Sequence, residues 1–90
     1  MPEPLNDRDF EPVYPAAARR AKQEAVVVLR LHVDADGRVV ASEVIEGPRR
    51  HGFIESAREY VSRLRFRPAR AGRRPVATRI EWSVYFYVRN

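Results

Sequence analysis

The stretch from Val76 to Val88 alternates between two sets of residues, and this alternation constrains the fold more than any other feature. A period of two places one set on each face of a β-strand. Thirteen residues at about 3.3 Å each would extend roughly 43 Å, which is long for a strand in a chain of 90 residues. A strand longer than its partners has backbone groups left unpaired, and such edges recruit further strands. The first set comprises Val76, Thr78, Ile80, Trp82, Val84, Phe86 and Val88.

The size of the chain limits it to one domain with one modest core. A chain of 90 residues buries about 60–65% of the surface that its unfolded form exposes, which leaves no room for a large ligand cavity. The sequence has no cysteine, so the fold needs no disulfide bond and no thiolate metal site. No apolar run reaches the roughly 18 residues of a membrane span, and the start lacks the layout of a signal peptide.

Residues 1–13 differ in composition from the rest of the chain, with three prolines, several acids and few hydrophobic residues. This composition predicts a flexible lead-in, and the domain itself is expected over residues 14–90. Pro15 then precedes a run of alanines. Because proline suits the first turn of a helix, a short helix is predicted over residues 16–22.

Two further strands and one longer helix are predicted before the final strand. Alternating apolar residues mark strands at 25–34 and 38–46, and the Asp34–Gly37 turn joins them as an antiparallel hairpin. Apolar residues at helical spacing predict an amphipathic helix over 53–64. A loop is expected over 71–75.

The order helix, strand, strand, helix, strand predicts an α+β fold in two layers, with a three-stranded antiparallel sheet and two helices on one face. Trp82 shares a face with the apolar residues of the final strand, so it is expected in the core. Tyr85 and Tyr87 lie on the other face, which has no helices over it. Their rings are equally consistent with cross-strand packing and with a contact surface for a partner.

Residues that could carry catalysis or bind a metal are few and scattered. Asp34 and Asp36 begin like a calcium-binding loop, but Ile45 stands where such a loop requires a glutamate. His32 and His51 have no supporting cysteine or acidic cluster, so each is expected to be solvated and not a metal ligand. No serine lies in a nucleophile elbow, and the glycines form no phosphate-binding loop. We therefore expect no enzyme, with no catalytic residue, no cofactor and no metal site.

The net charge of +5 is concentrated in the second half of the chain, where ten arginines from Pro48 to Arg79 are accompanied by only two glutamates. Such a surface can attract nucleic acid, acidic peptides or anionic lipid, although a solvated basic surface is the simpler explanation. The best nucleic-acid candidate is the run from Arg63 to Arg74, in which Phe66 could stack against a base. Because this run offers one aromatic residue alone, nucleic-acid binding is the less favoured alternative.

Several short motifs occur in a fixed order along the chain. They are Tyr14-Pro15, Asp34-Ala35-Asp36-Gly37-Arg38-Val39, Phe53 with Ala57, Leu64-Arg65-Phe66-Arg67-Pro68-Ala69, Gly72, Pro75-Val76 and Val84-Tyr85-Phe86. In this order and spacing, residues 13–89 resemble the C-terminal domain of the TonB energy transducers. Each motif is weak alone, but the combination is fairly specific. The related TolA-like domains share the architecture and are the nearest alternative.

The resemblance implies a role and a location. Domains of this family lie in the Gram-negative periplasm, tethered by an N-terminal inner-membrane helix and a proline-rich linker. They bind the TonB box, a short extended motif of TonB-dependent outer-membrane transporters. Inner-membrane motor proteins, acting through the N-terminal part, power the pull with the proton-motive force. Because this chain holds neither anchor nor long linker, the resemblance implies that it is the periplasmic module alone.

The resemblance also implies where a partner binds. In the family the last strand lies at the edge of the sheet and receives the TonB box as an added strand, a form of β-augmentation. The same free edge could instead pair with a second copy to form a homodimer. Carried over to this sequence, the receiving backbone is Ser83, Val84, Tyr85, Phe86, Tyr87 and Val88, with Tyr14 and Pro15 nearby.

Overall fold

The computed structural model describes residues 2–88. The elements in chain order are β1 (Glu3–Pro4), α1 (Ala16–Arg20), β2 (Ala25–Val33), β3 (Val39–Glu46), α2 (Phe53–Ser62), β4 (Phe66–Arg67), β5 (Ala69–Ala71), β6 (Arg74–Val76) and β7 (Thr78–Phe86). The main sheet is antiparallel with strand order β3-β2-β7, and α2 packs on β2 and β3. This arrangement confirms the predicted α+β fold with a three-stranded antiparallel sheet and two helices.

The core forms between α2 and one face of β2. Alternation along β2 directs every second side chain to this face, and apolar residues at helical spacing on α2 meet them there. Trp82 packs at the margin of the core, with its ring centroid 5.4 Å from that of Phe66. The most deeply buried members, each 0% or 1% exposed, are Ala18, Val27, Leu29, Leu31, Val33, Phe53, Ala57, Val61, Leu64 and Phe66.

The final strand is shorter than the sequence predicted. β7 has nine residues, and all of them pair with the nine residues of β2, from Ala25 opposite Phe86 to Val33 opposite Thr78. The prediction of a thirteen-residue strand that outruns its partner was therefore wrong. Val76 belongs to β6, which forms a short hairpin with β5 where a loop was predicted. The alternating pattern runs through both strands, and a period of two alone does not show where one strand ends and the next begins.

The N-terminal segment packs against α2, whereas the sequence predicted a flexible lead-in. Asn6 caps the C-terminal end of α2, because its amide donates to the Arg63 carbonyl oxygen (3.1 Å) and its Oδ1 accepts the Arg65 N–H (2.8 Å). β1 pairs with β4 beside this cap. Contacts between a side chain and the backbone leave no periodic pattern in a sequence, so hydrophobic periodicity could not reveal them.

Aromatic residues hold the same segment farther along α2. The ring centroid of Phe10 lies 5.2 Å from that of Tyr60. The Tyr60 hydroxyl donates to the carbonyl oxygen of Asp7 at 3.2 Å. The segment therefore runs from the C-terminal end of α2 back toward its start, and it carries the chain to α1.

The turn between β2 and β3 is built around Gly37. The Asp34 carboxylate accepts the N–H groups of Asp36 and Arg38, each at 2.9 Å, and so shapes the turn. Gly37 has a φ of 86°, and its carbonyl oxygen accepts the Phe66 N–H at 2.8 Å. A Cβ at this position would lie 1.9 Å from the Phe66 carbonyl oxygen. Glycine therefore allows the turn to approach the buried Phe66 this closely.

Gly37→Ala is expected to lower the free energy of unfolding by about 2–4 kcal/mol, because the new methyl group collides with backbone in addition to the left-handed strain. Gly72→Ala is the matched control. Gly72 also has a positive φ, 64°, but nothing lies within 4 Å of a Cβ there. Its cost is expected to be about 1 kcal/mol. Urea unfolding of both variants measures the difference, and equal costs would contradict this account of the turn.

The pKa of Tyr60 is raised by burial, and further by the carboxylates of Asp7 and Glu11. Because folding raises this pKa, the contribution of Tyr60 to stability is present below the ordinary tyrosine pKa of about 10 and is lost as the pH rises through the folded value. Tyr60→Phe should therefore lower the free energy of unfolding by about 1 kcal/mol at neutral pH. It should also weaken the loss of stability that sets in as the pH rises above the ordinary tyrosine pKa of about 10.

The control for this pH dependence is Tyr85→Phe, since Tyr85 is exposed and the variant keeps Tyr60. Chemical denaturation at several pH values measures the slope of the free energy of unfolding for each protein. We expect Tyr85→Phe to follow the wild-type curve. Equal slopes for all three proteins would show that Tyr60 does not carry the effect.

Candidate functional site

β7 is the outermost strand of the main sheet, and within residues 2–88 no strand lies beside its outer edge. The opposite edge of the sheet belongs to β3, whose pairing with β2 is shifted at two points. Bulges of this kind bend a strand and interrupt the even spacing of its backbone groups. The ladder between β7 and β2 keeps one register from end to end. The outer edge of β7 is therefore the better template for an additional strand.

Two hydrogen bonds show which backbone groups of β7 point outward. At the hairpin turn, the Asp34 N–H donates to the Arg38 carbonyl oxygen. The backbone groups of Asp34 therefore point toward β3, and those of Val33 point toward β7. At the other end of the ladder, the Val88 N–H donates to the Glu24 carboxylate at 2.9 Å, on the β2 side. Along a regular strand, the backbone N–H and C=O groups of successive residues point to opposite sides. Both contacts therefore indicate that these groups point toward β2 in even-numbered residues of β7 and outward in odd-numbered residues.

The predicted receiving residues therefore divide into two groups. Val84 and Phe86 direct their backbone groups to β2 and bury their side chains, and the N–H of Val88 is bound to a carboxylate. Those three residues have no N–H to offer an added strand. The sequence prediction also omitted two residues of the same edge, Arg79 and Glu81. The outward-facing set is Arg79, Glu81, Ser83 and Tyr85, with Tyr87 just beyond the strand.

Tyr14 lies at the C-terminal end of β7, and Pro15 directly after it is the N-cap residue of α1. The Tyr14 ring packs edge-on against Phe53 and Phe86, with centroid distances of 5.9 and 5.7 Å. The rings of Phe53 and Phe86 lie 5.0 Å apart. The Tyr14 hydroxyl donates to the Gln23 carbonyl oxygen. This triangle of rings fixes the start of α1 against both α2 and β7.

A cleft of about 460 Å³ lies between this corner and the end of β7. The Arg19 guanidinium stands 5.2 Å from the centroid of the Tyr14 ring, so a positive charge borders the cleft. Three of the lining residues were not predicted from the sequence, namely Glu11, Pro12 and Arg19. The Tyr14-Pro15 motif was the one signal for this corner. The lining comprises Glu11, Pro12, Tyr14, Arg19, Tyr85, Phe86, Tyr87 and Val88.

The face of the sheet opposite α2, called the open face here, has an apolar end and a charged end. At the apolar end, Tyr85 lies opposite Val26 and is followed by Tyr87. At the charged end, His32 Nε2 lies 2.5 Å from Glu43 Oε1. This hydrogen bond lowers the pKa of Glu43, and nearby positive charges add to the effect. His32 was expected to be solvated, and its side chain is partly exposed while it is also bound to a carboxylate.

The other candidates from the sequence do not assemble into a site in the part of the chain that the structure describes. Phe66 is 1% exposed, so it is not available to stack on a base. The Arg63 guanidinium lies over the Phe10 ring, 4.7 Å from its centroid. Among residues 2–88, no three His, Cys, Asp or Glu residues come together as a possible metal site.

Crossing a bilayer requires a helix of about 20 mostly apolar residues. No helix between residues 2 and 88 combines that length with that apolar character.

Comparison with known proteins identifies the family. A family model described as the Gram-negative bacterial TonB protein C-terminal region matches residues 11–88. The solution NMR structure of the Pseudomonas aeruginosa TonB C-terminal domain is similar, with a TM-score of 0.77 and 27% sequence identity over 99% of this chain and 88% of that chain. No curated protein matches the sequence significantly. Because the family model spans nearly the whole chain, this protein belongs to the TonB C-terminal domain family.

Proposed function

We propose that this chain is the periplasmic domain of a TonB-type energy transducer that binds the TonB box of outer-membrane transporters as an added strand on β7. The observation that carries this proposal is the outer edge of β7, which is regular and without a strand partner in the described residues. Ser83 and Tyr85 direct backbone N–H and C=O groups to it. An extended peptide can satisfy these groups without any change in the domain.

The chemistry of this role is binding and not catalysis. Main-chain hydrogen bonds supply affinity for any extended peptide, so one edge can serve transporters of different sequence. The net charge of +5 favours encounter with acidic segments around the TonB box. Sequence upstream of this domain would carry the inner-membrane tether and the contact with the motor proteins. The proton-motive force would then reach the transporter as a pull on the added strand.

A titration of the ¹⁵N-labelled domain with a TonB box peptide tests the binding mode. We expect amide shifts in residues 79–88 and at Tyr14, because an added strand changes the hydrogen bonding of this edge and the environment of the adjoining cleft. Amides of β3 should stay unchanged and serve as the internal control. The proposal fails if millimolar peptide leaves residues 79–88 unshifted, or if the shifts follow β3 instead.

Proline substitutions test the direction of the backbone groups. Tyr85→Pro removes an N–H that faces outward, so the fold should survive while peptide affinity falls about tenfold. Tyr85→Thr keeps the N–H, and threonine favours a strand as tyrosine does, so this variant should lose much less affinity. Val84→Pro removes an N–H that bonds to β2, so this variant should unfold. Circular dichroism and the same titration distinguish these outcomes. An unfolded Tyr85→Pro beside a folded Val84→Pro would reverse the assignment.

The outer edge of β7 also offers a site for a second copy, and we propose that any homodimer of the isolated domain forms there. Sedimentation at several concentrations measures the association. A TonB box peptide should dissociate such a dimer, because both use the same backbone groups. A dimer that persists with saturating peptide would have to use another surface.

A further inference from the structure

Two exposed tyrosines occupy the open face beside the outer edge of β7. The rings of Tyr85 and Tyr87 stack on one another, with centroids 5.8 Å apart and an angle of 23° between their planes. Their exposed fractions are 55% and 58%. Neither ring belongs to the core, and neither hydroxyl is needed to satisfy a buried group. Folding alone therefore does not explain this aromatic pair.

The surroundings of the pair differ on its two sides. Toward the centre of the sheet, Val26 lies directly opposite Tyr85 and packs beside it. Away from the centre, β7 is the last strand in residues 2–88, so no strand covers that flank of the rings. A strand added to the edge would lie about 4.8 Å from β7 and would fill this flank.

An added strand would place every second side chain on the same face of the sheet as the tyrosine pair. Side chains opposite each other in a sheet have Cβ atoms about 4.5–5.5 Å apart and lie on the same face. Two residues of the added strand, spaced two positions apart, would therefore contact Tyr85 and Tyr87. This spacing holds for either strand direction, because side chains alternate between faces in both.

The rest of the edge offers no comparable apolar contact. Arg79 and Glu81 occupy the open face toward the other end of β7, where Glu81 lies opposite Arg30 of β2. Apolar side chains of an added strand gain contact area near the tyrosines, whereas near Arg79 and Glu81 they would remove water from the charged groups at a cost. The outer edge of β7 is thus apolar near its C-terminal end and charged toward its N-terminal end.

We propose that Tyr85 and Tyr87 are specificity-determining residues that select added strands with two apolar side chains two positions apart. This inference rests on the proposed function, since it requires strand addition at β7. Backbone hydrogen bonds are the same for every peptide sequence, so they cannot discriminate. The stacked rings supply the discrimination by pairing with the side chains that the added strand presents on the open face.

Two capped threonine peptides of about eight residues test this inference. One carries two valines two positions apart, and the other carries the same valines three positions apart. Valine and threonine have nearly the same shape, and the composition is identical, so only the spacing of apolar groups differs. In an NMR titration, the first peptide should bind the wild-type domain about threefold to tenfold more tightly than the second.

The variant that combines Tyr85→Thr with Tyr87→Thr should bind both peptides with equal affinity while keeping the edge amide shifts. Arg79→Thr, on the same face of the same strand, is the matched control and should keep the preference. Equal affinities for the wild type, or an unchanged preference in the double variant, would overturn the inference and leave strand addition intact. Failure of a TonB box peptide to shift residues 79–88 would overturn strand addition and this inference with it.

Discussion

The structure depends on β2, which is buried on one face and hydrogen-bonded along both edges. One face packs its apolar residues against α2, and both edges bond to neighbouring strands. Because β2 has a strand on each side, the two outer edges of the sheet belong to β3 and β7. The edge of β3 is interrupted by two irregularities, whereas β7 follows β2 in one register for nine residues. The same constraint that builds the core therefore leaves one regular edge, and the strand that carries this edge packs Phe86 against Tyr14.

The parts of the fold that the sequence could predict were those with local signals. Alternation along residues 25–33, the Asp34–Gly37 turn and the helical spacing from Phe53 each reflect contacts that repeat with the period of their own element. The start of β7 could not be found this way, because Val76 belongs to a separate hairpin and continues the same alternation. The docking of residues 3–13 was also hidden. It rests on Asn6, on one ring contact and on backbone carbonyl oxygens, none of which forms a pattern.

The sequence proposes a location for the candidate site and not its details. The resemblance to a family points to the last strand, which is an edge strand of the sheet, and to the Tyr14-Pro15 corner. It could not say which amides face outward, because that depends on the register of β2 with both neighbours. The Asp34 N–H reaches the Arg38 carbonyl oxygen, so the backbone groups of odd-numbered β2 residues point toward β7. Val84 is paired with one of these residues, Val27, so Val84 bonds inward while Ser83 and Tyr85 face outward.

A free edge must bind its partner without first pairing with itself, and the graded chemistry along β7 favours that result. If two copies paired antiparallel about Ser83, Glu81 of each would lie opposite Tyr85 of the other. Shifting the pair so that the Tyr85 residues meet would leave only the last part of each strand in contact. A carboxylate opposite a ring gains little, and a short overlap forms few hydrogen bonds. A peptide with apolar side chains at the right spacing meets neither difficulty. Under the proposed function, the tyrosine pair therefore acts for the partner, and Glu81 weakens the self-pairing centred on Ser83.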